Sequence, residues 1–132
     1  KYLIDKGLNQ NAKYLGLKFG AEKHKAFREA DIFVHPTSND CFPLVLLEAM
    51  QNQLPIISTF EGGIPDIVEN DKTGFLIPAN NAGALAEKLE ILIKNPEMRQ
   101  KMGSAGRLKF EKEFTLEIFE KNLHEILYKV SE

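Results

Sequence analysis

The chain has 132 residues, which suits one domain with a packed core and not two. Hydrophobic residues make up 43% and charged residues 27%, an ordinary globular mix. Seventeen basic side chains face nineteen acidic ones, so a net charge of -2 excludes a general electrostatic pull toward nucleic acid or anionic membrane. The single cysteine, Cys41, excludes an internal disulfide and fits a reducing cytoplasm.

Short apolar runs alternate with longer helical patterns, the signature of strand–helix units around a parallel sheet. Residues 1–6 read as the tail of a helix stopped by Gly7 at the position after its C-cap. Residues 13–18 (KYLGLK) read as a strand, 21–30 as a helix, and 31–35 (DIFVH) as a buried strand ended by Pro36. Residues 43–52 form a helix that Pro43 starts. Residues 55–59 (PIIST) follow as a strand covered on both faces. A short helix over 65–69 leads through the turn 70–74 to a last strand, 74–77 (GFLI). The remainder reads as three helices: 81–94, one from Pro96 toward Phe110, and one capped by Thr115. In the last, Ile118, Phe119, Asn122, Leu123, Ile126 and Leu127 keep a core-facing rhythm. The expected fold is a doubly wound, three-layer α/β domain with four parallel strands and C-terminal helices. A dinucleotide-binding sheet has about six strands, so the missing ones are expected before Lys1. No methionine or signal segment opens the chain, so its start reads as a cut inside a larger protein.

Ligands of open α/β sheets bind beyond the carboxyl ends of the strands, at helix N-termini. Two loops stand there: 35–43 and 59–65. Phe42 has no side-chain oxygen to cap the helix that follows, so the amides of Leu44 and Val45 are free for an anion such as a diphosphate. The competing reading lets Asp40 or Ser38 cap the turn. Gly62-Gly63 lets the second loop take positive φ and approach a ligand, or makes a plain tight turn. Glu48, flanked by Leu46, Leu47, Ala49 and Met50, needs a partner if buried. A ribose diol is one candidate, and an exposed helix glutamate is the bland reading. His24, His35 and His124 have no metal-ligand spacing, and His35, near Asp40, reads as structural. Cys41 reads as inert, and the charged run 109–113 as a solvated helix end.

Four pieces in order resemble the C-terminal domain of the group 1 glycosyltransferases of two-Rossmann-domain (GT-B) architecture. They are ADIFVHPTSND, DCFPLVLLEAM, QLPIISTFEGGIPDIVEN and KTGFLIP. The second is similar to the family's Glu-x7-Glu signature, usually EGFGLVxLEAMA. The resemblance implies that residues 1–132 are the nucleotide-sugar (donor) binding part of such an enzyme, without its acceptor-binding N-terminal domain. It implies transfer of a sugar from a nucleotide diphosphate to a saccharide or lipid-linked acceptor, with retention and without a metal or other cofactor. Asp40 falls on the first signature acid, beside the reacting centre, and is the implied catalytic residue. Glu48 falls on the second, which binds the ribose. Phe42, Pro43 and Leu44 fall on the loop facing the sugar and phosphates, Leu17 and Lys18 on the base pocket, and Gly62 and Gly63 on the neighbouring glycine loop. The family's phosphate-clamping Arg and Lys would lie before Lys1, so the isolated chain is expected not to catalyse transfer.

Three positions depart from the pattern. Asp40 is a methylene shorter than the usual Glu, Cys41 replaces a Gly, and Pro43 replaces a Gly and has no N–H to donate. They point to altered donor geometry or weak activity more than to lost nucleotide binding. The alternatives are a related sugar phosphorylase or nucleotide-sugar epimerase, or a non-catalytic nucleotide-binding module. The implied setting is polysaccharide biosynthesis in the cytoplasm or at the inner face of the membrane. Any peripheral association there would run through the absent domain.

Overall fold

The structure, a computed structural model, describes residues 2–131. The chain order is α1 (Tyr2–Asp5), α2 (Gly20–Glu29), β1 (Phe33–His35), α3 (Leu44–Gln51), β2 (Ile56–Thr59), α4 (Ile64–Ile67), β3 (Gly74–Ile77), α5 (Ala82–Lys94), α6 (Pro96–Glu113) and α7 (Leu116–Ser131). Lys1, the first residue of the expected opening helix, lies outside the described residues. The helix ends as expected: Gly7 takes φ 66° and donates its amide to the Ile4 carbonyl at 2.9 Å.

The sheet has three parallel strands in the order β1-β2-β3, not four. The expected strand over residues 13–18 is absent. Gly16 turns the chain at φ 69°, and Tyr14 and Leu17 are 82% and 84% exposed. Strand geometry needs a neighbour to bond, and among the described residues that segment has none. β1 therefore forms an edge, and its three residues are half-buried instead of buried. β2 and β3 are buried along their whole length.

The two faces of the sheet separate by the period-2 rule. Ile56 and Leu76 point into a core shared with Leu46, Ala49 and Met50 of α3 and with Ile64 and Ile67 of α4. Ile57, Phe75 and Ile77 point the other way, toward Leu92 of α5 and Met102 of α6. Helices thus cover both faces, as the apolar run PIIST implied. Side-chain caps start two of the C-terminal helices: Asn81 accepts from the Ala84 amide and Asn95 from the Met98 amide, each at 2.9 Å. Thr115 accepts from the Ile118 amide at 3.4 Å, the cap expected from the sequence.

The apolar face of α7 is left open: none of its residues is buried, and only Ile118 is partly covered. Leu116, Phe119 and Leu123 instead form one wall of an open apolar groove of about 810 Å³, with Phe42, Leu44 and Leu47 opposite. No helix among the described residues is long and apolar enough to cross a membrane.

The charged run at the end of α6 is not simply solvated. Lys109 is only 11% exposed, lies 3.4 Å from both Glu69 and Glu113, and sits 5.8 Å from the centre of the Phe114 ring. Glu69 also accepts from Lys72 at 2.7 Å. The Lys72 ammonium first, and Lys109 after it, hold the Glu69 carboxyl below its usual 4.5. A carboxyl depressed in the folded state stabilises above its unfolded value, and the contribution disappears as pH falls through the folded value. Glu69→Gln is therefore expected to lower the urea midpoint at about pH 7 and to match the parent chain at about pH 3. Urea titrations of both proteins at the two pH values check this. A constant difference would show that the charge of Glu69 is irrelevant.

Candidate functional site

The carboxyl ends of β1 and β2 carry the two loops singled out in the sequence, and the structure ties them together. Ser58 donates its hydroxyl to the His35 carbonyl at 2.8 Å, and Thr59 donates to the Thr37 carbonyl at 2.9 Å. Both hydroxyls belong to fully buried residues, so these bonds satisfy groups that water cannot reach. Further along, the Gly63 amide donates to the Cys41 carbonyl at 2.6 Å.

The glycine pair serves this contact. Gly62 takes φ 52°, whereas Gly63 stays at -87°. A Cβ at Gly62 would overlap the Asp40 carbonyl oxygen and stand 2.6 Å from that of Cys41. A Cβ at Gly63 would stand 2.8 Å from the Phe42 ring. The absence of a Cβ at both positions thus lets the neighbouring loop come close. The missing glycines of the first loop are accommodated: Cys41 does not adopt positive φ, and Pro43 sits at φ -72°.

Pro43 is the N-cap of α3, one position earlier than its expected place as first helical residue. It is buried, and no side chain caps the helix. Neither Asp40 nor Ser38 folds over the turn. Asp40 Oδ2 lies 3.2 Å from Nε2 of His35, and within the loop the Asn39 amide donates to the Thr37 hydroxyl and the Thr37 amide to the His35 carbonyl. Leu46 donates to the Pro43 carbonyl at 3.0 Å, while the Leu44 and Val45 amides find no acceptor among the described residues. The helix therefore opens with two bare donors and the positive end of its dipole.

The two acids have basic partners from this chain. His35, which the sequence reading set aside as structural, faces Asp40 from the end of β1. Lys23 of α2, not singled out from the sequence at all, reaches Glu48 with Nζ 2.5 Å from Oε1. Both carboxylates are about one-third exposed, 30% for Asp40 and 31% for Glu48. Phe42 and Leu44 are exposed at the mouth of α3, and the Phe42 ring stands 6.3 Å from that of Phe114. Leu17 and Lys18 lie in the irregular segment before α2. Lys18 pairs with Glu22 at 3.4 Å and lines a separate cleft of about 410 Å³ along α2. Among the described residues, no group of three or more His, Cys, Asp or Glu could hold a metal ion.

Known proteins resemble this chain in sequence and fold. The family model for glycosyl transferases group 1 matches residues 1–109. A sulfoquinovosyl transferase of Arabidopsis thaliana is 38% identical over 104 residues, 76% of this chain and 20% of its own length. A capsular polysaccharide biosynthesis glycosyltransferase of Staphylococcus aureus is 32% identical over 111 residues, 84% of this chain and 29% of its own. The chain thus spans less than a third of either relative. Among solved structures, the C-terminal domain of a group 1 glycosyl transferase from Francisella tularensis superposes with a TM-score of 0.78. It is 25% identical, over 87% of this chain and 60% of that one. The Anabaena protein HepE, solved with UDP, gives a TM-score of 0.87 at 23% identity, over 96% of this chain and 35% of that one, a likeness of fold alone. With its parallel sheet covered on both faces in the Rossmann-like manner of GT-B enzymes, the chain belongs to the group 1 glycosyl transferase family.

Proposed function

We propose that this chain is the donor-binding domain of a retaining glycosyltransferase that moves a sugar from a nucleotide diphosphate to a saccharide or lipid-linked acceptor. The observation that carries the reading is the uncapped start of α3, with two free amides between Asp40 and Glu48. As the glycosidic bond breaks, negative charge gathers on the departing diphosphate. Fixed N–H dipoles aimed at that charge stabilise the transition state without having to reorient, and no metal is needed for this contribution. Glu48, one turn further along α3, accepts from the ribose hydroxyls. Asp40, at the mouth of the loop, faces the donor sugar. Phe42, Pro43 and Leu44 shape the floor, Gly62 and Gly63 hold it in place, and Leu17 and Lys18 flank the base.

Acceptor recognition belongs to parts of the relatives' chains that this sequence does not span, so the isolated chain binds donor without turning it over. The structural neighbour solved with UDP makes uridine nucleotides the first ligands to test. Calorimetric titration with UDP-glucose, GDP-mannose and ADP-glucose is expected to show saturable binding of at least one. Losing a hydrogen bond to a charged group weakens affinity by roughly ten- to a hundredfold, the effect expected of Glu48→Ala. Asp40→Ala is expected to weaken binding of the sugar nucleotide more than that of the bare nucleoside diphosphate. Failure of all three donors to bind would overturn the reading.

A further inference from the structure

Three ion pairs involve the α2 region, and one differs from the others. Lys18–Glu22 and Lys25–Glu29 join residues four apart, along the surface of the helix. Lys23 alone among the three basic partners crosses to another element, where its Nζ lies 2.5 Å from Oε1 of Glu48 on α3. Its stem runs beside Ala26, Phe27 and Phe33, where it helps line a small apolar notch of about 150 Å³. The ammonium is therefore guided to Glu48 by packing as well as by charge.

A glutamate on an open helix face samples many rotamers, and a ligand that needs one of them must oppose that entropy on binding. A carboxylate also has two oxygens, each with room for hydrogen bonds. Lys23 occupies Oε1 and leaves Oε2 available. Building on the proposed role of Glu48 at the ribose, we infer that Lys23 is a positioning residue. It fixes the Glu48 carboxylate in one orientation, so that the free oxygen is presented to the vicinal hydroxyls of the nucleotide's ribose. A half-exposed pair of this kind adds little to stability, so its removal leaves the fold intact.

The test compares ribose with deoxyribose. The dissociation constants of UDP, GDP and ADP and of their 2′-deoxy counterparts are measured by calorimetry for the parent chain, Lys23→Met and Lys23→Arg. Methionine keeps an apolar stem of similar length beside Phe27 and Phe33. The parent is expected to prefer the ribonucleotide. Lys23→Met is expected to weaken ribonucleotide binding about three- to tenfold, the scale of one side chain left to be ordered by the ligand, and to leave the deoxynucleotide nearly unaffected. Lys23→Arg is expected to retain the preference, and the melting temperatures of all three proteins should agree closely. Equal weakening of both nucleotides in Lys23→Met, or an undiminished preference, would overturn the positioning role while leaving the donor-binding reading in place. A parent chain that binds both sugars equally would remove the Glu48–ribose contact, and with it this inference. A parent that binds none of the nucleotides would overturn the donor-binding reading itself.

Discussion

Ile57→Ala is expected to destabilise the chain by roughly 2–5 kcal/mol, a large part of the 5–15 kcal/mol that holds a typical domain together. Ile57 is fully buried in the central strand, paired with Val34 on one side and Phe75 on the other. Its side chain fills the layer between the sheet and the helices bearing Leu92 and Met102. Removing three carbons there leaves a cavity that the flanking strands cannot close without breaking their ladders, so the cost combines lost burial with lost packing. Ile93→Ala is the matched control. Ile93 is 64% exposed on α5, and its truncation is expected to change stability by less than about 0.5 kcal/mol. Urea unfolding of the two variants measures both. Equal midpoints would mean that the layer around Ile57 is loosely packed and contributes little to the core.

Gly62→Ala is the second large effect. Two separate penalties coincide at this residue. Its φ of 52° lies where a side chain crowds the following carbonyl, a strain of roughly 1–2 kcal/mol. The added Cβ would also collide with backbone atoms of Asp40 and Cys41, which cannot rotate away as a side chain could. Relief requires the loop over 35–43 to move, and overpacking of this kind costs roughly 1–3 kcal/mol more. The displaced loop bears Asp40 and leads into α3, so on the proposed donor-binding reading nucleotide affinity is expected to fall with stability. Gly83→Ala supplies the contrast. That glycine lies in the first turn of α5, and a Cβ there would meet only the Asn81 side chain, at an ordinary 3.5 Å. It is expected to be neutral, or to stabilise by up to about 1 kcal/mol through helix propensity. Thermal melts and nucleotide titrations of the two variants check the pair. A Gly62→Ala protein with parental stability and affinity would refute the contact between the loops.

The parts of the fold that the sequence announced were those specified by local chemistry. GFLI is apolar and PIIST nearly all apolar or β-branched, without alternation, and both proved to be strands covered on two faces. Asn81, Asn95 and Thr115 start helices because a side-chain oxygen placed before a helical run satisfies an amide, whatever the tertiary context. Residues 13–18 misled because a β-like composition forms a strand only beside a partner, and partners are not written locally. The same reason separates the legible half of the site from the rest. The spacing of Asp40 and Glu48 around an uncapped helix start could be read in one stretch of chain. Their partners could not. Lys23 lies 25 positions before Glu48, and nothing about a lysine on α2 tells which of the neighbouring acids it will reach. Lys109 is a similar case, a lysine in a charged run whose stem is drawn inward to meet Glu69 of a distant turn.

The bonds from Thr59 to Thr37 and from Gly63 to Cys41 have a consequence for anyone wishing to reshape the proposed donor site. The surfaces that would have to be recut are two sides of a single unit, not independent modules. Substitutions screened one loop at a time will report misleading effects, because residues sharing a contact do not contribute additively. Libraries that vary positions 40–44 and 60–64 together, with Gly62 held fixed, preserve the joint while exploring its shape.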